Sequence, residues 1–380
     1  MQKNTLGILG GGQLAKMLAV AAQKLHIDIT CFESNKVENP CAAEITKVIP
    51  IDFSNFDSPR FSSTFEHPIS TFTFETENIP VSLAEQFAKI AHFYPNIETL
   101  KIAQDRLFEK SLFTELGIPT PHYFNIKNLD ALSEALNQIQ NHSVLKTRTM
   151  GYDGKGQQVI KWQGSLQDTL SFAQAAFNNL SSQVPLILES FVDFDYELSI
   201  IAVRNQQEEI RYYPLTKNTH QSGILALSEA PFDASELTAL TQQAQTYAQK
   251  ILSHLNYVGV LAIEFFVKNN QLIANEMAPR VHNSGHWTIE GAKTSQFENH
   301  VRAVCDLPLG STEAVGFSCM HNILSTLPSQ DQLDKLAQLP GVYVHLYGKS
   351  PKPNRKLGHI TFHAESRKAL KDLLTRASIG

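Results

Sequence analysis

Two glutamates interrupt two otherwise apolar segments joined by a short polar turn. Glu264 lies in Leu261-Ala262-Ile263-Glu264-Phe265-Phe266-Val267, and Glu276 in Leu272-Ile273-Ala274-Asn275-Glu276-Met277. Both segments read as buried strands, with Asn269-Asn270 at the hairpin turn. A three-residue loop sets Glu264 opposite Glu276. A two-residue loop sets it opposite Asn275 and diagonal to Glu276. Either way the carboxylates come within side-chain reach, and like charges facing across a sheet destabilise it unless something neutralises them. A divalent cation does so, and magnesium takes carboxylates and nucleotide phosphates together. The plainer alternative is one glutamate pointing to solvent. The pair predicts a hairpin that holds magnesium and ATP.

The chain has 380 residues, room for two or three domains of about 150 residues each. Hydrophobic residues at 42% and charged residues at 18% support a sizeable core. A net charge of -5 argues against a general nucleic-acid binder, which needs a dense basic surface. Cys31, Cys41, Cys305 and Cys319 form no C-x-x-C pair, so neither a zinc ribbon nor a disulfide framework is indicated. No secretory signal and no apolar run long enough to cross a membrane is seen. A cytoplasmic protein is expected.

Thr5–Leu9, Ile27–Phe32, Val48–Ile51 and Ile69–Phe74 read as strands, with helices at 13–25 and 81–91. That alternation predicts a parallel, helix-flanked sheet over residues 1–100. One charged helix is expected over 101–116, then a strand at 143–146 and a glycine-rich loop. Leu186–Glu189, a hairpin of 198–204 with 210–214, and a helix over 235–255 follow. The tail alternates short strands with helices at 330–338 and after 365.

Several motifs carry chemistry. Gly10-Gly11-Gly12-Gln13-Leu14-Ala15 follows a strand and opens a helix, with Glu33 ending the second strand. Alone this fits the NAD fingerprint; a phosphate on the helix N-terminus, or simply a tight turn, fits equally. Gly151-Tyr152-Asp153-Gly154-Lys155-Gly156 exposes backbone N–H groups beside a cation, as a polyphosphate requires. It is no Walker loop, because Gln157 stands where the lysine belongs. Lys146, on an apolar strand, needs an anionic partner. Glu189-Ser190-Phe191-Val192 ends a strand and suits a purine edge, while a carboxylate such as Glu197 suits ribose hydroxyls. Pro279 to His286 is a polar loop leaving the glutamate hairpin; its two histidines lack a third zinc ligand. Lys349, Lys352, Arg355 and Lys356 form a basic cluster fit for a phosphate.

Together these segments resemble the ATP-grasp superfamily, and within it the 5-(carboxyamino)imidazole ribonucleotide synthetases of purine biosynthesis. The likeness rests on Gly7 to Ala15, Phe74 to Ile79, Gln104-Asp105-Arg106, Leu145 to Gln157, Asn275 to His286 and Tyr347 to His359. Ala15-Lys16 stands where that family commonly has Gly-Arg. The resemblance implies an ATP-grasp fold with an N-terminal Rossmann-like domain of the biotin carboxylase kind (1–100). An ATP-grasp domain (101–310, with a glycine-rich lid about 143–161) and a small mixed C-terminal domain (311–380) would follow. It implies ATP-dependent carboxylation of 5-aminoimidazole ribonucleotide by bicarbonate through carboxyphosphate. Formate-dependent glycinamide ribonucleotide formyltransferase is the nearest alternative. By the same resemblance, Arg106, Lys146, Gly151 to Gln157, Glu189 to Val192, Glu197, His220, Asn275 and Glu276 would line the ATP site. Glu264 and Glu276 would hold magnesium. Arg280, His282 and Lys155 would be catalytic. Glu75, Tyr152, Asp153, Asn283, Ser284, Lys349, Arg355 and Lys356 would bind the ribotide. A homodimer is expected on the same ground.

Overall fold

A computed structural model describes residues 5–55, 68–151, 156–180, 184–232 and 237–377. The N-terminal alternation folds as a parallel sheet. Strand β1 (Thr5–Leu9) is buried along its whole length. It is joined by β2 (Asp28–Ser34), β3 (Lys47–Ile51), β4 (Thr71–Phe74) and β5 (His92–Phe93), in the order β3-β2-β1-β4-β5. Every pairing is parallel, so both faces need apolar cover. Helix Gln13–Lys24 buries Leu14, Leu18 and Ala22 against one face. On the other, Phe32 packs at a tilt against Phe72 and Phe87, which meet each other edge to face.

A smaller antiparallel sheet follows: β6 (Tyr123–Ile126), β7 (Ser143–Thr147), β8 (Gln157–Ile160) and β9 (Leu186–Ser190), in the order β6-β9-β7-β8. Helices Leu129–Ile139 and Leu166–Leu180 pack Leu132, Leu136, Ala173 and Ala176 onto its Leu145 and Leu188.

The largest sheet is antiparallel throughout. It contains β10 (Tyr196–Arg204), β11 (Ile210–Tyr212), β12 (Thr216–Gln221), β13 (Ile224–Ala230), β14 (Gly259–Lys268) and β15 (Gln271–Ala278). From the tail come β16 (Phe317–Leu324), β17 (Val342–Leu346) and β18 (Lys356–Ala364). The order is β15-β14-β10-β12-β13-β16-β18-β17, with β11 on β10. The tail strands thus extend this sheet through β13–β16 pairing. Helix Leu237–His254 covers one face of β10, β14 and β15 with Leu240, Ala244, Ala248 and Ile251. The mixture of one parallel and two antiparallel sheets is the α/β and α+β architecture expected.

The β14–β15 hairpin resolves the register in a way neither simple loop length anticipates. Asn269 and Asn270 both have positive φ, 49° and 60°, as a two-residue hairpin turn requires. Lys268 then pairs with Gln271, and the ladder runs regularly to Phe265 opposite Ala274. Regular continuation would oppose Glu264 to Asn275. Instead the ladder skips Asn275, and Glu264 faces Glu276 across a β-bulge.

The single charged helix expected over 101–116 is two helices, Ile97–Ala103 and Arg106–Glu115. Asp105 breaks it. Its backbone is extended (φ -127°, ψ 110°), and its carboxylate caps the second helix by accepting from the Leu107 N–H at 2.9 Å. The same carboxylate takes both arms of the Arg148 guanidinium, at 2.9 and 2.5 Å. Asp105→Ala should lower the unfolding free energy by about 2 kcal/mol, read from urea denaturation, since it removes a cap and orphans an arginine. An unchanged midpoint would mean the break is set elsewhere.

Candidate active site

The three sheets enclose a cavity of about 810 Å³. Its lining includes Glu75, Arg106, Gly151, Glu276, Arg280, His282, Asn283, Lys349, Arg355 and Lys356. Tyr152, Asp153, Gly154 and Lys155 lie outside the described residues. Gly156 precedes β8, and Gln157, its first residue, pairs with Lys146.

Glu264 and Glu276 share a face of the hairpin because they are directly opposed. Burial first, and the Glu276 charge second, raise the Glu264 carboxyl to about 7. Its surroundings are polar, and the charges of His220 and Lys356 offset the rise only in part. Ser199 of β10 stands opposite it, and His282 Nε2 lies 3.6 Å from its Oε1. His220 Nδ1 is 2.8 Å from Glu197 Oε2. Burial opposes the charge on His220, yet the Glu197 hydrogen bond and the Glu264 charge outweigh it and raise its pKa. Two carboxylates with these neighbours fit a hard cation, which oxygen donors prefer.

The tautomer of His282 follows from its partners. Nδ1 accepts from the Ser284 backbone N–H at 3.3 Å and lies 2.9 Å from Ser284 Oγ. Ser284 Oγ in turn accepts from Ser199 Oγ (2.8 Å), and Ser199 Oγ from Asn218 Nδ2 (2.9 Å). The chain of donors ends on Nδ1, so the ring proton resides on Nε2, facing Glu264. Burial, followed by the Arg280 charge, holds the imidazole neutral, well below the ordinary histidine pKa. Ser284, expected at the ribotide, is fully buried in this chain, with its Oγ beside His282 Nδ1. Asn283 pairs its amide with Asn322 in both directions, at 3.1 and 2.7 Å.

Lys146 finds its anion in Glu189, at 3.0 Å. A second, unanticipated lysine, Lys110, lies 3.5 Å from the same carboxylate oxygen and is almost fully buried. Burial alone would raise the Glu189 pKa; Lys110 and Lys146 overcome it and hold the carboxyl at about 2. The Ser190 and Phe191 backbone N–H groups already bond the carbonyls of His122 and His142. Phe191 itself is exposed. Arg106 donates to the Thr147 and Gly151 carbonyls, both at 3.1 Å, so it braces the start of the glycine-rich loop.

The N-terminal glycine loop does not match an NAD site. Gly12 and Ala15 N–H groups, at the mouth of the first helix, bond Glu75 at 2.6 and 2.9 Å. Gly11 N–H bonds Glu33 at 2.8 Å. A pyrophosphate would need those same donors. A β-carbon on Gly12 would lie 2.5 Å from Glu75 Oε1, so this glycine admits the carboxylate. Lys349 bonds Gln13 Oε1, joining the tail to this loop, and Arg355 donates to Ser350. Glu77, also missed, grips Arg280 through Nε and Nη2. Burial is outweighed there, so Glu77 titrates lower and Arg280 higher than usual.

This geometry defines an ATP-grasp architecture, and comparison with known proteins agrees. An ATP-grasp domain matches residues 111–297, a ribonucleotide synthetase preATP-grasp domain residues 3–104, and a phosphoribosylaminoimidazole carboxylase C-terminal domain residues 318–373. N5-carboxyaminoimidazole ribonucleotide synthase of Pseudomonas aeruginosa is 44% identical over 96% of each chain. The crystal structure of N5-carboxyaminoimidazole ribonucleotide synthetase from Thermus thermophilus superposes with a TM-score of 0.87 at 41% identity, covering 98% of this chain and 97% of that one. The Aspergillus clavatus enzyme in complex with ADP and 5-aminoimidazole ribonucleotide superposes with a TM-score of 0.85 at 27% identity, covering 99% and 98%. The chain belongs to the N5-carboxyaminoimidazole ribonucleotide synthase family.

The buried Glu189 carries a pH prediction. Its folded pKa is depressed, so its stabilisation is present above the ordinary carboxylate value of 4.5 and is lost as pH falls toward about 2. Glu189→Gln should cost about 3 kcal/mol at pH 7, because it strands two lysines. That gap should narrow below pH 4.5 in denaturant titrations; a pH-independent gap would contradict the ion pairing.

Proposed function

We propose that the chain uses ATP to carboxylate 5-aminoimidazole ribonucleotide with bicarbonate, giving N5-carboxyaminoimidazole ribonucleotide, ADP and phosphate. The observation that carries the reading is the opposed pair Glu264 and Glu276, of which Glu276 lines a cavity that also presents Arg280 and Lys349. A bicarbonate oxygen attacks the γ-phosphorus and ADP leaves, giving carboxyphosphate. The exocyclic amine then attacks the carboxyl carbon of carboxyphosphate and expels phosphate, or attacks the carbon dioxide that carboxyphosphate releases along with phosphate; either way the amine loses a proton as the N–C bond forms.

Phosphoryl transfer demands alignment and charge neutralisation rather than covalent catalysis. We assign a magnesium ion to Glu264 and Glu276, where it would neutralise the phosphate oxygens. Lys146, fixed by Glu189, would supply a positive charge beside the nucleotide, and Arg106 braces Gly151, where the glycine-rich segment begins. Glu197, with His220 bonded to it, suits the ribose hydroxyls; Glu189 to Val192 and Asn275 complete the adenosine side. Lys155 and the loop around it would close over the phosphates, excluding water from carboxyphosphate. Glu77 engages Arg280 at Nε and Nη2, and Nη1 reaches the Val281 carbonyl. Two of its five N–H donors are outside these contacts and suit a planar oxyanion. His282 presents a neutral Nε2–H donor, fit to stabilise developing negative charge without surrendering a proton. At the other end of the cavity Lys349, Arg355 and Lys356 suit the ribotide phosphate, and Glu75, with Tyr152, Asp153 and Asn283, its sugar and base. Ser284 acts by orienting His282.

We further take the division near residues 100 and 310 as three domains, the enzyme as a homodimer, and its setting as the cytoplasm. Among the described residues no helix is long and apolar enough to cross a membrane. Purified protein given ATP, magnesium and bicarbonate should release ADP faster when 5-aminoimidazole ribonucleotide is added. Lys349→Ala should raise the Michaelis constant for the ribotide about tenfold or more with a smaller change in kcat. Stimulation by glycinamide ribonucleotide with formate instead would sink the assignment.

A further inference from the structure

The bulge at Asn275 decides which face of the sheet Glu276 occupies, and two adjacent charged residues read that bulge. Leu272 and Ala274 of β15 pack into the core under helix Leu237–His254, together with Ile263 and Phe265 of β14. Strict alternation from Leu272 and Ala274 would send Glu276 into the same apolar core. It does not, because the ladder passes over Asn275: Met277 takes the core position and Glu276 turns to the cavity.

β15 is the edge strand of its sheet, so its outward backbone groups must be satisfied from outside the ladder. Before the bulge the outward residue is Ala274, whose N–H bonds the Pro119 carbonyl (2.7 Å) and whose carbonyl accepts from Thr120 Oγ1 (3.0 Å). After the bulge the outward groups belong to odd-numbered residues. Lys110 Nζ donates to the Asn275 carbonyl at 2.5 Å, with a longer contact of 3.4 Å to the Ala274 carbonyl, and Glu109 Oε1 accepts from the Met277 N–H at 2.6 Å. Both side chains are almost fully buried, at 1% and 3% exposure. They come from helix Arg106–Glu115, which packs along β15. A regular edge would offer those partners at Glu276 instead, one residue out of step with this acceptor and donor.

We propose that Glu109 and Lys110 are positioning residues: a register clamp that holds the Asn275 bulge and so keeps Glu276 facing Glu264. The proposal deepens the cation-site reading above. Glu109 and Lys110 act through the strand, and neither need touch substrate.

The probe is Mn2+ alone, its free-ion signal followed by electron paramagnetic resonance on the full chain. The parent should take up one Mn2+, and Glu276→Gln should lose it. Lys110→Met and Glu109→Leu should weaken uptake about tenfold or more, the scale of lost supporting contacts at metal sites. Glu109→Gln, which keeps an acceptor for the Met277 N–H, should stay within about threefold of the parent, by the same scale. Deleting Asn275 in the Lys110→Met chain regularises the ladder with Glu264 still opposite Glu276, and should restore uptake. If a single variant fails to fold, the deletion should restore its fold and its Mn2+ together. Parent-like uptake by Lys110→Met and Glu109→Leu, or no restoration by the deletion, overturns the clamp. Mn2+ uptake that follows this pattern in a protein unresponsive to the ribotide would sink the proposed reaction and leave the clamp standing.

Discussion

The structure turns on a repulsion. Two carboxylates face each other on adjacent strands whose other side chains form the central core, and burial plus proximity push Glu264 up to about 7. Left alone, such a pair costs stability. On the proposed reading, a bound cation offsets that cost. The cavity opens beside Glu276, Arg280 stands on the following loop, and Lys110 and Lys146 stabilise Glu189 nearby. Around this pair the molecule divides its work between a large sheet that sets the carboxylates and a small sheet that carries Lys146 and Glu189.

The supporting contacts share a logic. Arg280 is held by Glu77, His282 by Ser284, Lys146 by Glu189 and Lys349 by Gln13. Each group that would meet a ligand is oriented by a partner from another segment, so alignment is present before anything binds. Glu75 does the converse at the N-terminal glycine loop. It fills the helix N-terminus with a carboxylate and turns a nucleotide-like motif into an internal brace.

Much of this was legible in the residues, for physical reasons. Periodicity marks the buried strands, asparagine marks the hairpin turn, and the alternation of strand and helix marks the parallel sheet. The glutamate pair stands out because a charge in an apolar run is costly. The bulge was hidden by the two loop lengths considered, although the shift of apolar parity from Leu272 and Ala274 to Met277 records it. The helix break at Asp105 was missed because the charged run reads as continuous until the cap and its Arg148 partner are seen together. Glu109 and Lys110 were not singled out within the charged helix. The buried Leu112 and Phe113 on the same helix hint otherwise. Ser199 and Asn218, which orient His282, lie far from it in sequence, and no local pattern links them.

The most direct test of the central claim is anomalous diffraction from crystals grown with Mn2+ and ADP. A peak about 2.1 Å from carboxylate oxygens of both Glu264 and Glu276, as hard octahedral coordination requires, and adjacent to the diphosphate, is the predicted result. A nucleotide-bound metal whose peak lies away from either glutamate would contradict it.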